Sequence, residues 1–238
     1  MKTSIINTKY TCILDEIPFS GDAFLIIESC PLLKRPYLYE IAGYRMAHCG
    51  ASKIMFSTNG IFKYLPKSLN FGKLKTAYSH DMLLMQAQVP TDARYEPAAI
   101  FVPVKQHEID KYINMHNEIF ESIDNASFTR ESDLKDCFEK SNYEIMFFYA
   151  YEKLVGICEI EFQSSQAIID TIGIMPEFRG QGYGRMLLNN IFYILSAHGI
   201  KKALLVVSSS NKAGLSLYRS FKFKKEQTLS KWYVCKGF

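Results

Sequence analysis

Residues 179–185 read Arg179-Gly180-Gln181-Gly182-Tyr183-Gly184-Arg185, the stretch of the chain whose residue types point most directly to a ligand. Alternate glycines admit backbone conformations and close approaches that a Cβ forbids, and consecutive amide groups at the start of a helix attract an anion. With an arginine at each end, the chemistry suits a phosphate. Taken alone, the same glycines also suit a tight turn that holds no ligand. A dinucleotide site is a poorer match: the spacing is G-x-G-x-G rather than G-x-G-x-x-G, no acidic residue follows about 20 residues on, and the motif sits late in the chain.

A loop of this kind has to be delivered by a buried strand and continued by a helix. Ala167 to Ile174 is nearly continuously apolar and reads as a central strand. After the glycines, Met186, Leu187, Asn190, Ile191, Ile194 and Leu195 recur at helical spacing up to Gly199, which ends the helix. A strand over Ala203 to Val207, a helix over Asn211 to Phe221 and a strand over Lys231 to Cys235 follow. Upstream, Ile100 to Val104 is a short apolar run, and Ile109, Tyr112, Ile113, His116, Ile119 and Phe120 mark a first helix. Thr129, Ser132 and Asp133 supply cap chemistry for a second, running to about Lys140 with Leu134, Cys137 and Phe138 on one face. Ile145 to Tyr151 and Leu154 to Phe162 read as a hairpin separated by Glu152-Lys153. The expected order is β, α, α, β, β, β, α, β, α, β.

The 238 residues are 48% hydrophobic and 22% charged, an ordinary globular composition that allows one large domain or two small ones. No apolar run reaches the roughly 18 residues of a membrane span, and no apolar stretch follows Lys2 as in a signal peptide, so a membrane is excluded as a partner. The six cysteines form no C-x-x-C pair and no histidine stands at metal-ligand spacing, which indicates reduced thiols in the cytoplasm and no metal. The net charge of +4 conceals a division: residues 105–177 carry 6 basic against 15 acidic side chains, net −9, and residues 178–238 carry 11 against 1, net +10. Two partners of opposite charge, or merely solvated helix faces, explain it equally well. The basic segment has no nucleic-acid reader motif.

The chain also resembles itself. A shift of 152 aligns seven identical residues in the 20 positions from Ser57 to Thr76, including Ser57 with Ser209, Asn59 with Asn211 and Phe71 with Phe223. A shift of 150 aligns Leu38, Ile41, Ala47 and His48 with Leu188, Ile191, Ala197 and His198, and Ala23 to Pro31 parallels Ala167 to Pro176. Diverged halves of a tandem duplication are the reading. The first copy begins at a hairpin (Ser4 to Tyr10, Thr11 to Ile17) and lacks the two opening helices. Pro31 to Leu38 spans seven residues and Pro176 to Leu188 twelve, so the first copy is five residues shorter where the second has its glycines. His48 and His198 read as core or capping groups, and His80, His107 and His116 have no evident partner.

Pro176-x-x-Arg179-Gly180-x-Gly182-x-Gly184, preceded by the strand I-I-D-T-I-G-I and followed by Asn211, Ala213, Tyr218 and then F-K-F, resembles the acetyl-CoA-binding core of the GNAT N-acetyltransferase superfamily. The likeness covers about residues 100–238 in full and 1–90 in degenerate form. It departs at Lys222, where the family usually has glycine before phenylalanine. The resemblance implies an α/β fold with a mixed central sheet flanked by helices, here duplicated with a truncated N-terminal half. Residues 1–96 would be a degenerate domain lacking the CoA loop, and 97–238 the catalytic domain.

It further implies that the amides of Arg179, Gly180, Gln181, Gly182, Tyr183, Gly184 and Arg185 hold the CoA pyrophosphate. The backbone of Ile172, Gly173 and Ile174 would pair with pantetheine, and Asn211 and Tyr218 would lie near the thioester. On that reading Tyr218 protonates the leaving thiolate, and the position matching it in the first copy is Pro66, so donor and loop are absent together. A helix tyrosine that merely covers the core is the other reading. The base that deprotonates an amine acceptor is expected to be Asp170, or else Glu159 or Glu161, which share one face of the neighbouring strand. Solvent alone, with these acids as surface groups, stays open, as does an acyl-CoA-binding sensor or scaffold without turnover.

Overall fold

The computed structural model describes residues 2–5, 8–29, 48, 50–59, 68–71, 74–123 and 128–236. They divide into two units, one of residues 1–83, 208–210 and 227–238, the other of residues 84–207 and 211–226. The division therefore falls near residue 84 instead of 96/97, and most of the last strand stands with the first unit. The expected helix of the first copy, its shortened loop and Pro66 lie outside the described residues.

In the first unit β1 (Lys2–Ile5) and β2 (Thr8–Ile13) form the opening hairpin, so Tyr10 and Thr11 lie inside its second strand and not at its turn. A single helical turn, α1 (Ile17–Ser20), is closed by Gly21 at φ 74°, and leads into β3 (Asp22–Ser29). β3 pairs antiparallel with β2 and parallel with β4 (Lys53–Asn59). β5 (Ser68–Phe71) and the long β6 (Leu74–Gln88) form an antiparallel pair. Ala23, Leu25, Ile27, Ile54 and Phe56 build the core together with Tyr233. The Phe56 and Tyr233 rings stack at 4.9 Å, and Lys231 Nζ meets Asp81 at 3.1 Å.

The second unit follows the expected order of strands and α-helices from Ala99 onward, with short 3-10 turns added at Gln106–Glu108 and Pro176–Phe178. β7 (Ala99–Pro103) leads to α2 (Ile109–Phe120) and α3 (Glu131–Phe138), then to the strands β8 (Tyr143–Ala150), β9 (Lys153–Phe162) and β10 (Gln166–Ile174). α4 (Tyr183–Ala197), β11 (Lys202–Ser208), α5 (Lys212–Ser220) and β12 (Lys224–Lys236) complete it. Its strands lie in the order β6-β11-β10-β9-β8-β7, antiparallel except for β10 with β11. The β8–β9 turn is Tyr151-Glu152, one residue earlier than expected, with both residues left-handed at φ 49° and 63° as a two-residue hairpin turn requires. Asp133 accepts the Arg130 N–H at 2.9 Å to start α3. α4 starts at Gly182, φ 90°, and ends at His198, whose Nδ1 lies 2.9 Å from the Ile194 carbonyl, a capping role. Among the described residues no helix is long and apolar enough to cross a membrane.

β12 passes from one unit to the other: Ser230–Val234 pair with β4 of the first. The ladders on either side of β3 and β10 match, antiparallel to the preceding strand and parallel to the following one. Ile54 stands opposite Ala23 as Ala203 stands opposite Ala167, an offset of 149 between these strands, three short of the 152 that aligns Ser57 with Ser209. After α5 the chain turns at Lys222, φ 62°, with Phe223 N bonded to the Tyr218 carbonyl at 3.0 Å. This is the helix-ending motif whose left-handed residue is usually glycine, and a lysine there costs about 1 kcal/mol.

Two strand glycines set how closely α2 and the β9–β10 pair approach. A Cβ on Gly173 would meet Ile119 Cγ2 at 2.5 Å, and one on Gly156 would meet the Gly173 carbonyl oxygen at 2.3 Å. A side chain can rotate away and a paired strand carbonyl cannot. Gly173→Ala is therefore expected to destabilise the protein by about 1–3 kcal/mol, and Gly156→Ala by more, in denaturant unfolding curves. Equal losses would show that α2 is as immobile as the sheet.

Candidate functional site

β10 and β11 pair only from Gln166–Ile169 to Lys202–Leu205, although both run further. At the point of separation the β9–β10 register shifts between Ile169 and Thr171, leaving Asp170 as the extra residue of a bulge. Beyond it, residues 171–174 keep their pairing to β9. Their other edge, which includes Ile172, Gly173 and Ile174, faces the opening between the two parallel strands, where an extended ligand can add to the backbone.

The glycine loop stands at the end of that opening. Gly180 and Gly182 are left-handed at φ 76° and 90°, and a Cβ on either would touch nothing within 4 Å, so the loop's outer side is clear. The third glycine serves packing: a Cβ on Gly184 would lie 3.1 Å from Leu217 Cδ2. Arg185 N and Met186 N bond to the Gly182 carbonyl, whereas the amides of residues 180–184 make no backbone hydrogen bond among the described residues. A cavity of about 230 Å³ lies over them, bordered by Tyr151, Tyr183 and Arg185. Five unpaired amides at a helix start, clear of side chains, fit a pyrophosphate.

The flanking side chains behave otherwise than the sequence suggests. Arg179 donates from Nε to the Ile174 carbonyl at 3.1 Å and from a terminal nitrogen to the Ile119 carbonyl at 2.5 Å, tying β10 to the end of α2. Gln181 donates to the Glu177 carbonyl at 2.8 Å, and Arg185 reaches Ser220 Oγ at 3.5 Å and lies over the Phe221 ring at 5.6 Å. An anion bound over this loop would thus meet mainly backbone.

On the face of β9 covered by α2, Glu159 is buried and accepts a hydrogen bond from the Tyr112 hydroxyl and another from the Tyr143 hydroxyl at 2.6 Å. Burial and the Glu159 charge push both phenols well above the usual tyrosine range. Asp170 is exposed, yet the flanking strands take water off one side of its carboxyl. That desolvation, with Glu159 and Glu161 beside it, raises its pKa against the opposing pull of the Tyr143 hydroxyl and Lys140. His116, 2.9 Å from Thr129 Oγ1, has its pKa lowered by burial, so it is neutral at pH 7. Among the described residues no group of three or more His, Cys, Asp or Glu side chains is placed to hold a metal ion.

Residues 109–223 match the sequence profile of the acetyltransferase (GNAT) family. These residues are a GNAT domain. A curated relative, the [ribosomal protein bS18]-alanine N-acetyltransferase of Salmonella typhimurium, is 31% identical over 84 residues. That match takes in 35% of this chain and spans 57% of the relative's length. In fold, the chain is similar to a GCN5-related N-acetyltransferase from Sphaerobacter thermophilus, with a TM-score of 0.63, 13% identity, and 97% of this chain and 76% of that one covered. A GCN5-related N-acetyltransferase from Kribbella flavida gives a TM-score of 0.57 at 10% identity, covering 100% of this chain and 90% of that one. At such identities the likeness is one of fold.

Within the GNAT domain the expected acids Asp170, Glu159 and Glu161 do come together. Tyr218 is apart from them: it is buried, and after burial itself the influence that raises its pKa is Cys158, whose side chain alternates to the opposite face of β9 from Glu159. Its ring packs edge-on against Phe223 at 5.9 Å. Asn211 caps α5, its Oδ1 accepting the Gly214 N–H at 2.8 Å. Tyr112 and Tyr143 were not singled out in the sequence. Period-2 alternation places Glu159 on an inward face, and a buried carboxylate needs donors, but the spacing alone does not say which tyrosines supply them.

Because the Asp170 carboxyl is harder to ionise in the folded protein than in the unfolded chain, the stability it confers is full below pH 3.8, the ordinary aspartate value, and is lost as pH rises through its raised folded value. Asp170→Asn is therefore expected to stabilise the fold at pH 7–8, with the gain shrinking to nothing toward pH 3.8, in unfolding curves across pH. A gain that persists in acid would show that the carboxyl is not under strain.

Proposed function

We propose that the GNAT domain transfers an acetyl group from acetyl-CoA directly to a primary amine, and that residues 1–83 belong to a degenerate copy of the same fold without a CoA loop. The observation that carries the first reading is the parting of β10 from β11 next to five unpaired amides, a slot and an anion site in line. The matching ladders about β3 and β10 support the second. Activity on a ribosomal-protein amine, named for the Salmonella relative, is one version of the chemistry.

In this mechanism the amides of residues 180–184 hold the pyrophosphate and the strand amide near Ile174 faces the thioester oxygen as it gains charge. The amine nitrogen attacks the carbonyl carbon, the carbon–sulfur bond breaks, and the thiolate takes the Tyr218 proton. Tyr218 suits this role because its raised pKa keeps it protonated, and its hydroxyl has no hydrogen-bond partner among the described residues. Asp170 takes the proton of the ammonium acceptor: it is exposed, and its raised pKa makes it the stronger base. Glu159 has both oxygens engaged by phenols and positions Tyr143, with Glu161 adding charge.

The acceptor is cationic on this reading. Asp110, Glu118, Glu131, Asp133 and Asp136 lie exposed on α2 and α3, within the segment of net charge −9. Acetyl transfer draws on the cytoplasmic acetyl-CoA pool and needs no metal.

Calorimetry is expected to find one CoA site per chain and weakened binding in Gly182→Val, whose left-handed backbone a branched residue resists. Tyr218→Phe is expected to keep CoA affinity and lower kcat by about 100-fold. Full turnover in that variant would reduce Tyr218 to packing, and tight CoA binding with no thiol release across an amine panel would make the protein an acyl-CoA sensor or scaffold. For the acceptor, kcat/KM should fall as salt rises and its roughly 8 Å screening length shortens. A preference for an acidic amine would end the cationic assignment.

A further inference from the structure

A second cavity, of about 560 Å³, lies in the second unit and shares no residue with the one over the glycine loop. The size is that of a small-molecule site. Phe192 of α4 and Phe221 form its apolar wall, their rings 5.7 Å apart. Gln86 and Gln88 from β6, and Asn189, supply amide groups. Arg94, Lys222 and Lys224 stand exposed at its border, and among the described residues no acidic side chain lines it. The two cavities adjoin: Arg185 of the first is held to Ser220 and over Phe221 of the second, and Asn189 of the second donates from Nδ2 to Glu96 of the first.

Two features here are unexplained by acetyl transfer. The Gln86 Oε1 is shielded from water and has no hydrogen-bond partner among the described residues. Buried amide oxygens are ordinarily bonded, so a ligand donor toward which the Gln86 side chain turned would relieve it. Lys222 adopts the left-handed backbone at φ 62° where glycine is the relaxed choice, and it does so at the cavity's edge. Neither Lys222 nor Lys224 belongs to the glycine loop, although both contribute to the +10 of residues 178–238.

We propose that this cavity binds a small amphipathic anion: an aromatic body against Phe192 and Phe221, an anionic head at Arg94, Lys222 and Lys224, and an N–H or O–H donated to Gln86. The site is separate from the acyl-donor site and does not depend on acetyl transfer.

8-Anilinonaphthalene-1-sulfonate has all three parts and fluoresces on leaving water. Titrated into the protein at saturating CoA, it is expected to fill one site per chain. N-Phenyl-1-naphthylamine, the same body without the sulfonate, should bind at least tenfold more weakly. Arg94→Glu with Lys224→Glu should weaken the sulfonate at least tenfold while CoA affinity stays within threefold. Lys222→Gly relaxes the backbone, so it cannot fail by misfolding; it should raise stability and weaken the sulfonate at least threefold. Displacement of the sulfonate by CoA would assign the cavity to the donor's nucleotide end and overturn the proposal. Equal affinity for the uncharged probe, or unchanged affinity in the charge-reversed protein, would overturn it as a nonspecific apolar surface.

Discussion

Two parallel strands that pair for four residues and then separate leave half a row of backbone donors and acceptors open, and the GNAT domain is organised around keeping that row available. The Asp170 bulge starts the separation, and continued pairing to β9 keeps β10 straight as β11 leaves. Gly156 and Gly173 let α2 close over the other side, and Arg179 fastens its last turn to the end of β10. α4 then begins where the gap ends, so its unpaired amides point at whatever lies in the gap. Each of these contacts is small. Together they prevent the strands from zipping, which would otherwise satisfy the open edge.

The same strands sort the ionisable groups. Because side chains alternate along β9, Glu159 and Cys158 emerge on opposite faces, and the carboxylates gather beneath α2 and α3 whereas Cys158 acts on Tyr218. The proton donor and the base of the proposed mechanism, Tyr218 and Asp170, are thereby kept among different neighbours. The two phenols on Glu159 fix that carboxylate by hydrogen bonds without adding charge, which leaves Asp170 as the acid most open to water.

The element order of residues 99–236 was legible from periodicity because each helix buries one stripe and each strand alternates or is wholly apolar. The glycine loop was legible from its three glycines, but not their division of labour: φ at Gly180 and Gly182, packing at Gly184. Arg179 read as a phosphate ligand because charge type is visible in sequence, while the carbonyls of Ile119 and Ile174 that occupy it are 60 and 5 residues away. The hairpin turn slipped by one since Tyr151-Glu152 carries none of the Asn or Gly that usually marks left-handed pairs. The boundary near residue 84 escaped for a topological reason, since β6 and β12 each serve both units.

β12 also bears on how the protein is made. The strand that borders β4 is synthesised after the whole of the second unit, so during translation the first unit emerges with one edge of its sheet open. Tyr233, which stacks on Phe56 in that unit's core, arrives last of all its partners. Translation at about 5–20 residues per second leaves the first 83 residues waiting about 8–30 seconds for it, with an exposed strand edge that a chaperone or a neighbouring chain can bind. The usual vectorial sequence, N-terminal unit first, is not imposed here: the residues of the glycine-loop unit are all synthesised before the first unit is complete.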